Sequence, residues 1–416
     1  MNVRAILCIL IIAAGQKLCA QALNPPQIQW QRSYGWTNPD ICFDIVAKQN
    51  GFSFIGFGGM VTNQPDYWLF DADSSGAVLR EKYVGSPGDE VVSTGRPAAD
   101  GGLFIGGRST SGIGGFKSET NNGAGDFWVV RLSQSGGKVW DRTFGSAGED
   151  FLTSIVPLND GGCVLGGISS SISGTSIPGG NKISPSFGGG DYWAIRLDAT
   201  GTKLWEVCYG TTNYDSLRVV LPATDGGFLL AGDSRGSTTS TGGGNRLVTG
   251  YGNIDFWVIK IDSQGNRVWE AAYGGSSSDV VWCAARTSDG GYVLGGGAAS
   301  FANGVKTSPN YGGRDYWLVR IDANGQKIWD RSYGGDGGDE IMAVEQLADG
   351  GFMMGGRSTS GISGNKASPG YGFGDYWIVR TDANGEKLWE MSLGGTSDEW
   401  PYAMRQMTDG GWVIGG

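Results

Sequence analysis

The stretch Asp375-Tyr-Trp-Ile-Val-Arg-Thr-Asp-Ala-Asn-Gly-Glu-Lys-Leu-Trp-Glu-Met-Ser-Leu-Gly-Gly395 recurs, in close copies, along the whole chain. Each copy opens an apolar run with Asp-aromatic-Trp, passes a tight turn around Asp-x-x-Gly in most cases, and closes with a second run carrying one Trp. Alternating aromatic and β-branched residues on both sides of a short Gly-containing turn describe a β-hairpin. The opening Asp stands at Asp66, Asp126, Asp191, Asp255, Asp315 and Asp375, with spacings of 60, 65, 64, 60 and 60. A second motif, Asp-Gly-Gly before an apolar run, starts at Asp100, Asp160, Asp225, Asp289, Asp349 and Asp409, always 34 residues after the first. All length variation therefore falls in the segment leading back to the next Asp-aromatic-Trp. One elastic loop on a fixed core is what a repeated supersecondary unit shows.

Each unit reads as four strands. In the copy ending near Gly395, strand A covers 339–348, strand B 351–357, strand C 375–381 and strand D 386–394. Strand C carries apolar residues on both alternating faces, as a blade packed between two neighbours requires. Residues 28–35 form a strand D without strands before it, and 399–416 supply only an A and a B strand. The expectation is an all-β, seven-bladed β-propeller of four-stranded antiparallel blades, its last blade split between the termini and incomplete. The single propeller domain spans 28–416, with repeats near 36–85, 86–145, 146–210, 211–274, 275–334 and 335–394, and a last one from 395–416 plus 28–35. The missing strand C points to a natural chain that continues past Gly416.

Composition narrows the function. Glycine accounts for 76 of 416 residues, yet 39% of the chain is apolar and 16 residues are Trp, so this is a folded, turn-rich protein and not a Gly-rich linker. The net charge of −10 disfavours nucleic acid and anionic membrane as partners. Histidine is absent, which excludes Ser-His-Asp and Cys-His nucleophilic sites and every His-ligated metal. Arg4, the apolar run from Ala5 to Ala14 and Ala20-Gln21-Ala22 read as an export signal over 1–22, cleaved near Ala20 or Ala22. The apolar run is too short for a membrane span, so a secreted or cell-surface protein is expected, acting as a monomer. Cys42, Cys163, Cys208 and Cys283 lie at different phases of the repeat without CxxC spacing, and burial as small hydrophobes is expected of them.

Twelve of the 16 Trp residues occupy two fixed phases, in strands C and D. Recurrence in every blade argues for core packing over sugar stacking. Recurrent Asp residues fit turns and strand starts, where the side chain accepts backbone N–H bonds. Asp71-Ala-Asp73-Ser-Ser-Gly76 imitates the start of an EF-hand loop, but Lys82 stands at the twelfth position. Neither catalytic residues nor a metal or cofactor are expected. The more informative feature is the B–C loop. Lys117, Lys182, Arg246, Lys306 and Lys366 each stand nine residues before the strand-C Asp, and Phe187, Tyr251, Tyr311 and Tyr371 stand four before it, Asn122 breaking that series. If all these loops leave on one side, a ring of cations and aromatics would form a binding face for a glycan or protein ligand. The alternative is that each Lys pairs with an Asp of the neighbouring blade and the aromatic packs over the blade end.

The combination Tyr-Gly-Gly, Asp-Gly-Gly-Phe, Gly-Gly, Asn-Lys and Asp-Tyr-Trp-x-Val-Arg-x-Asp resembles the repeat propellers of secreted Bacteroidota proteins, across residues 28–416, and more loosely kelch repeats. In that family a sorting domain for type IX secretion often follows the repeats. The resemblance implies fold and export. Leu197-Asp-Ala-Thr-Gly-Thr-Lys-Leu-Trp205 is also similar to the docking repeat of quinone-dependent dehydrogenase propellers, but other copies depart from it and no adjacent Cys pair accompanies it. The expected function is a non-catalytic binding or adhesion scaffold. The alternatives are an enzyme (glycan-active or quinoprotein-like) using axial carboxylates such as Glu90, Glu340 and Glu345, and a purely structural module of a larger surface protein.

Overall fold

The computed structural model describes residues 6–12, 24–35, 40–58, 65–170, 180–235 and 243–416. Its strands fall into two compact units, one within Met1–Gly15, Pro26–Gly210 and Ala403–Gly416, the other within Gln16–Pro25 and Thr211–Tyr402. In the first unit, β1 (Ile6–Ile12) and β2 (Gln27–Tyr34) precede three blades. Blade 1 is β3 (Ile41–Lys48), β4 (Gly51–Gly58), β5 (Asp66–Ala72) and β6 (Val78–Val84). Blade 2 is β7 (Glu90–Pro97), β8 (Leu103–Ser109), β9 (Asp126–Leu132) and β10 (Lys138–Phe144), and blade 3 is β11 (Asp150–Pro157), β12 (Cys163–Ser169), β13 (Asp191–Leu197) and β14 (Lys203–Tyr209). The second unit holds blade 4, made of β15 (Asp215–Pro222), β16 (Phe228–Ser234), β17 (Asp255–Ile261) and β18 (Arg267–Tyr273). Blade 5 follows with β19 (Asp279–Arg286), β20 (Tyr292–Ala298), β21 (Asp315–Ile321) and β22 (Lys327–Tyr333), then blade 6 with β23 (Asp339–Gln346), β24 (Phe352–Ser358), β25 (Asp375–Thr381) and β26 (Lys387–Leu393). Within each blade the strands pair antiparallel in chain order.

The repeats make six blades, which corrects the expectation of seven. A blade is built around a strand C buried on both faces, and the chain carries only six Asp-aromatic-Trp strands to supply one. The strands from the two chain ends form a composite sheet in the order β2-β1-β28-β27, with β27 at Ala403–Gln406 and β28 at Trp412–Gly415. It is therefore not a blade lacking one strand. The apolar run 6–12, read above as the heart of an export signal, pairs antiparallel with both β2 and β28. This sheet also differs from a repeat blade in substance: β2 is exposed along most of its length, and β27 and β28 have four residues each.

Tight turns and bulges set the register. Strand A gains a residue over strand B in the blades, with the shift between Val92 and Thr94 in blade 2 and between Ile341 and Ala343 in blade 6. Such bulges increase local twist. At the C–D turn Asp198 Oδ1 accepts N–H bonds from Thr200 and Thr202, and Gly201 takes φ +80°, where a Cβ would be strained. The recurrent strand-C Trp residues are core, as their recurrence implied. Trp128, Trp193, Trp257, Trp317 and Trp377 are fully buried, each removing roughly 150–250 Å² from water. They pack between blades: Tyr67 against Trp128, Phe127 against Trp193, Phe256 against Trp317 and Tyr316 against Trp377, with ring centroids 5.0, 4.9, 4.7 and 4.6 Å apart. The four Cys residues outside 1–22 are free and buried, and burial pushes the Cys163 thiol up to about 12.

Candidate functional site

The predicted cations do not form an exposed ring. Lys117, Lys182, Arg246, Lys306 and Lys366 are all buried, none more than 3% exposed. Each is carried inward to its own blade and not towards the others. Lys117, Lys182, Arg246 and Lys366 lie over the strand-C Trp of the same blade, 5.5–5.8 Å from the ring centroid. The ammonium then reaches a strand-D side chain 26 residues on: Thr143 for Lys117, Ser332 for Lys306 and Ser392 for Lys366. Blade 4 has Ala272 at that phase, and there the longer Arg246 reaches Ser234 Oγ instead. Lys306 and Lys366 also bind the carbonyls of Ser308 and Ser368, so the cation pins its own loop. Burial lowers the affinity of Lys117 for its proton, down to about 8, against the pull of Asp126 and Glu90.

The aromatics have a different fate. The backbone N–H of Phe187, Tyr251, Tyr311 or Tyr371 is spent on the strand-C Asp four residues later, as is that of Asn122. Phe187 and Tyr311 are half-buried, while Tyr251 and Tyr371 are exposed. The B–C loop of blade 1 lies within 59–64, outside the described residues. Two of the carboxylates named above are held too: Glu340 by Arg314 and Glu90 by Ser86, Ser109 and Ser111. Among the described residues no group of three or more Asp, Glu, Cys or His is placed to hold a metal.

A cleft of about 400 Å³ between blades 1 and 2 is the better candidate. Val46, Leu69, Leu103 and Leu132 give it an apolar wall, and Lys48, Asp71, Arg80 and Lys82 give it charge. The turn Ser133-Gln134-Ser135-Gly136 closes the far side. Two departures from the repeat meet here. Five residues after the strand-C Asp, five blades carry Arg131, Arg196, Lys260, Arg320 or Arg380, each paired with the Asp of its A–B turn, at Asp100, Asp160, Asp225, Asp289 and Asp349. Arg131 also stacks on Phe104, 4.7 Å from the ring centroid, and so fills the blade end. Blade 1 has Asp71 at this phase and Gln49-Asn50-Gly51 in the turn.

The shorter Asp71 leaves room and reverses the charge. Its carboxylate draws in Lys48 from β3, Ser53 from β4 and Arg80 from β6. Burial alone would raise its pKa, but these three donors outweigh burial and hold it below the usual carboxylate range. The second departure is in blade 2, where Ser133 replaces the Asp found at Asp73, Asp198, Asp262, Asp322 and Asp382. Ser133 Oγ accepts from Gly137 N at 3.1 Å, keeping the turn with a smaller, uncharged side chain. Lys82 reaches across to Gly136 O and the Phe116 ring, and has no carboxylate partner among the described residues. The sequence signal was available: the residues that break phase, where the reading above followed those that keep it.

No family profile and no curated protein matches the chain. Solved structures do. A hydrazine synthase of Kuenenia stuttgartiensis aligns over 89% of this chain and 90% of its own at 13% identity, with a TM-score of 0.50. The chain is a β-propeller. The WD40 domain of Neurospora crassa Pan2 covers 90% of this propeller and 87% of its own length at 9% identity and TM-score 0.49. A Bacteroides caccae protein of unknown function covers 82% and 93% at 10% identity and TM-score 0.41. At such identities the likeness extends to the fold alone.

Proposed function

We propose that this β-propeller is a non-catalytic binding scaffold, exported to the cell surface or the medium, that takes an acidic saccharide in the cleft between blades 1 and 2. The observation that carries the reading is the coincidence of the cleft with two departures from an otherwise strict repeat. A repeat that only scaffolds has no need to exchange a buried Arg or Lys, paired with an exposed Asp, for a Lys–Asp–Arg cluster and an opening. The volume lies within the range of small-molecule sites. Lys48, Arg80 and Lys82 supply donors and positive charge on a protein of net charge −10. Asp71 and the exposed Glu81 accept from hydroxyls, and the apolar wall receives a ring face. The buried B–C cations are assigned to loop anchoring and have no part in the binding.

A glycan array followed by calorimetry with an oligouronate tests this. The expected result is retained uronate binding by wild type and by Tyr371→Ala, with at least a tenfold loss in the Lys48→Ala/Lys82→Ala double variant. No binding to any glycan, or binding indifferent to the double variant, would leave the chain a structural module.

A further inference from the structure

Behind the glycine that ends strand D, the strand-C Asp of one blade meets the acid that opens strand A of the next. A Cβ built on Gly274 would overlap Asp255 Oδ1 and stand 3.1 Å from Asp279 Oδ2. One built on Gly334 would overlap Asp315 Oδ1 and stand 2.9 Å from Asp339 Oδ2. In the first unit Asp66 and Glu90 are joined side chain to side chain, and Asp126 and Asp150 repel one another. These acids, Asp66 apart, are wholly buried.

The donors nearby gather mostly on one oxygen of each acid, though Ser300 N–H also reaches Asp279 Oδ1. Tyr251 N–H and Tyr311 N–H bond Oδ2 of Asp255 and Asp315, while Gly275 N–H with Ser300 Oγ, and Gly335 N–H with Ser360 Oγ, bond Oδ2 of Asp279 and Asp339. Oδ1 of Asp126, Asp255 and Asp315 is buried with no hydrogen-bond donor among the described residues. Ionised carboxylates only accept, so an oxygen facing another carboxylate is satisfied when one of the two carries a proton. The remaining charges do not balance the pairs. Arg246 faces Asp255, and Lys306 faces Asp279, Asp315 and also Asp330, which Lys327 already neutralises. Lys366 faces Asp339, Asp375 and also Glu390, which Lys387 neutralises. Lys117 faces Asp126, Glu90, Asp141 and Glu119, while Glu149 adds negative charge at Asp126. Tyr67 and Tyr316, beside Glu90 and Asp339, are held neutral by burial.

The geometry points to a proton-locked joint between neighbouring blades: a proton held within each of the carboxyl pairs Asp66/Glu90, Asp255/Asp279 and Asp315/Asp339 holds the blades together in mild acid and leaves as the pH rises. Burial agrees in direction, lifting Glu90 to about 7 and Asp255 and Asp315 to about 6. Each pair binds its proton more tightly folded than unfolded. Its contribution is thus complete below about pH 4, the unfolded carboxyl value, and is lost as pH climbs through about 6 to 7.

Thermal unfolding of the full chain from about pH 4 to about pH 9 tests the joint, comparing wild type with Asp315→Asn and Asp255→Asn. Asn offers the facing carboxylate a permanent N–H donor in place of the shared proton. The variants are expected to melt above wild type at about pH 8 and to lose less Tm between about pH 5 and about pH 8. Acids held below their usual range, such as Asp44 and Asp330, titrate alike in all three proteins and cancel in the difference. Parallel curves, or variants less stable than wild type at high pH, overturn the proposal. So does a saturable rise in wild-type Tm with calcium at high pH that Asp315→Asn abolishes, since the pair would then hold a metal. If the variants do not fold, infrared spectra of wild type with labelled Asp decide: a protonated-carboxyl band that titrates away between about pH 5 and about pH 8 supports the joint, and its absence overturns it.

Discussion

The cleft beside blade 1 and the groove in the second unit are similar in size and opposite in construction. The groove, about 480 Å³, runs along Thr307–Pro309, Asp330–Tyr333 and Gly385–Lys387. Its polar groups are consumed by the repeat itself. Asp330 accepts from Thr307, Ser308, Trp317 and Lys327, Tyr333 donates to Gly385 O, and Arg331 pairs with Glu386. The cleft, about 400 Å³, includes two residues that break the repeat, Asp71 and Ser133, and among the described residues its Lys82 and Glu81 have no ion pair. Volume therefore says little about function here. What separates the two is whether the lining side chains already have work within the blade.

The largest expected effect lies on the side that obeys the repeat. Lys366→Ala removes the buried cation from Ser368 O, Ser392 Oγ and the Trp377 ring and takes its charge away from Asp339 and Asp375. Denaturant unfolding should show a loss of roughly 3–5 kcal/mol, the scale of a buried pair broken on one side. A loss below about 1 kcal/mol would place Lys366 among ordinary surface charges and reopen the loop face as a binding surface. Next comes Asp71→Arg, which restores the side chain that four of the other five blades carry and fills the cleft. Uronate binding should fall at least tenfold, about 1.4 kcal/mol, while circular dichroism stays that of wild type. Retained affinity would move the ligand elsewhere.

A smaller effect is expected of Lys48→Ala. Lys48 is 41% exposed, so its removal should cost at most about 1 kcal/mol of stability while weakening binding severalfold by calorimetry. The last test concerns pH. Lys48, Ser53 and Arg80 hold Asp71 below the usual carboxylate range against the opposing effect of burial. Its stabilisation is therefore present above about pH 4 and lost as pH falls through the lowered value. Asp71→Asn should flatten the acid limb of the Tm profile slightly, whereas Asp315→Asn should flatten the alkaline one.

Much of this molecule is legible as arithmetic on the sequence. The spacing of Asp66, Asp126, Asp191, Asp255, Asp315 and Asp375 fixes the strands, the blades and the core Trp positions. The reading failed in two places. It counted a seventh blade from chain ends that carry no Asp-aromatic-Trp, and the strands there join β1 in a composite sheet whose β2 is exposed along most of its length. It also read Lys117, Lys182, Arg246, Lys306 and Lys366 as a surface ring because they lie in Ser/Gly-rich loops. A loop's composition does not reveal that its one cation folds back over a Trp and anchors on a strand-D hydroxyl. The alternation of Lys with Ser or Thr 26 residues on, and of Arg246 with Ala272, held that information without announcing it.

The sequence by itself determined the repeat, the order of its strands and the burial of its strand-C Trp residues. These follow from local periodicity and turn chemistry, which each copy states independently. Tertiary structure alone decided which side chains meet across blades. Tyr67 of blade 1 packs on Trp128 of blade 2, and Asp315 faces Asp339 only because Gly334 leaves no Cβ between them. Contacts between separately folded copies depend on how one sheet lies against the next, and no single copy encodes that.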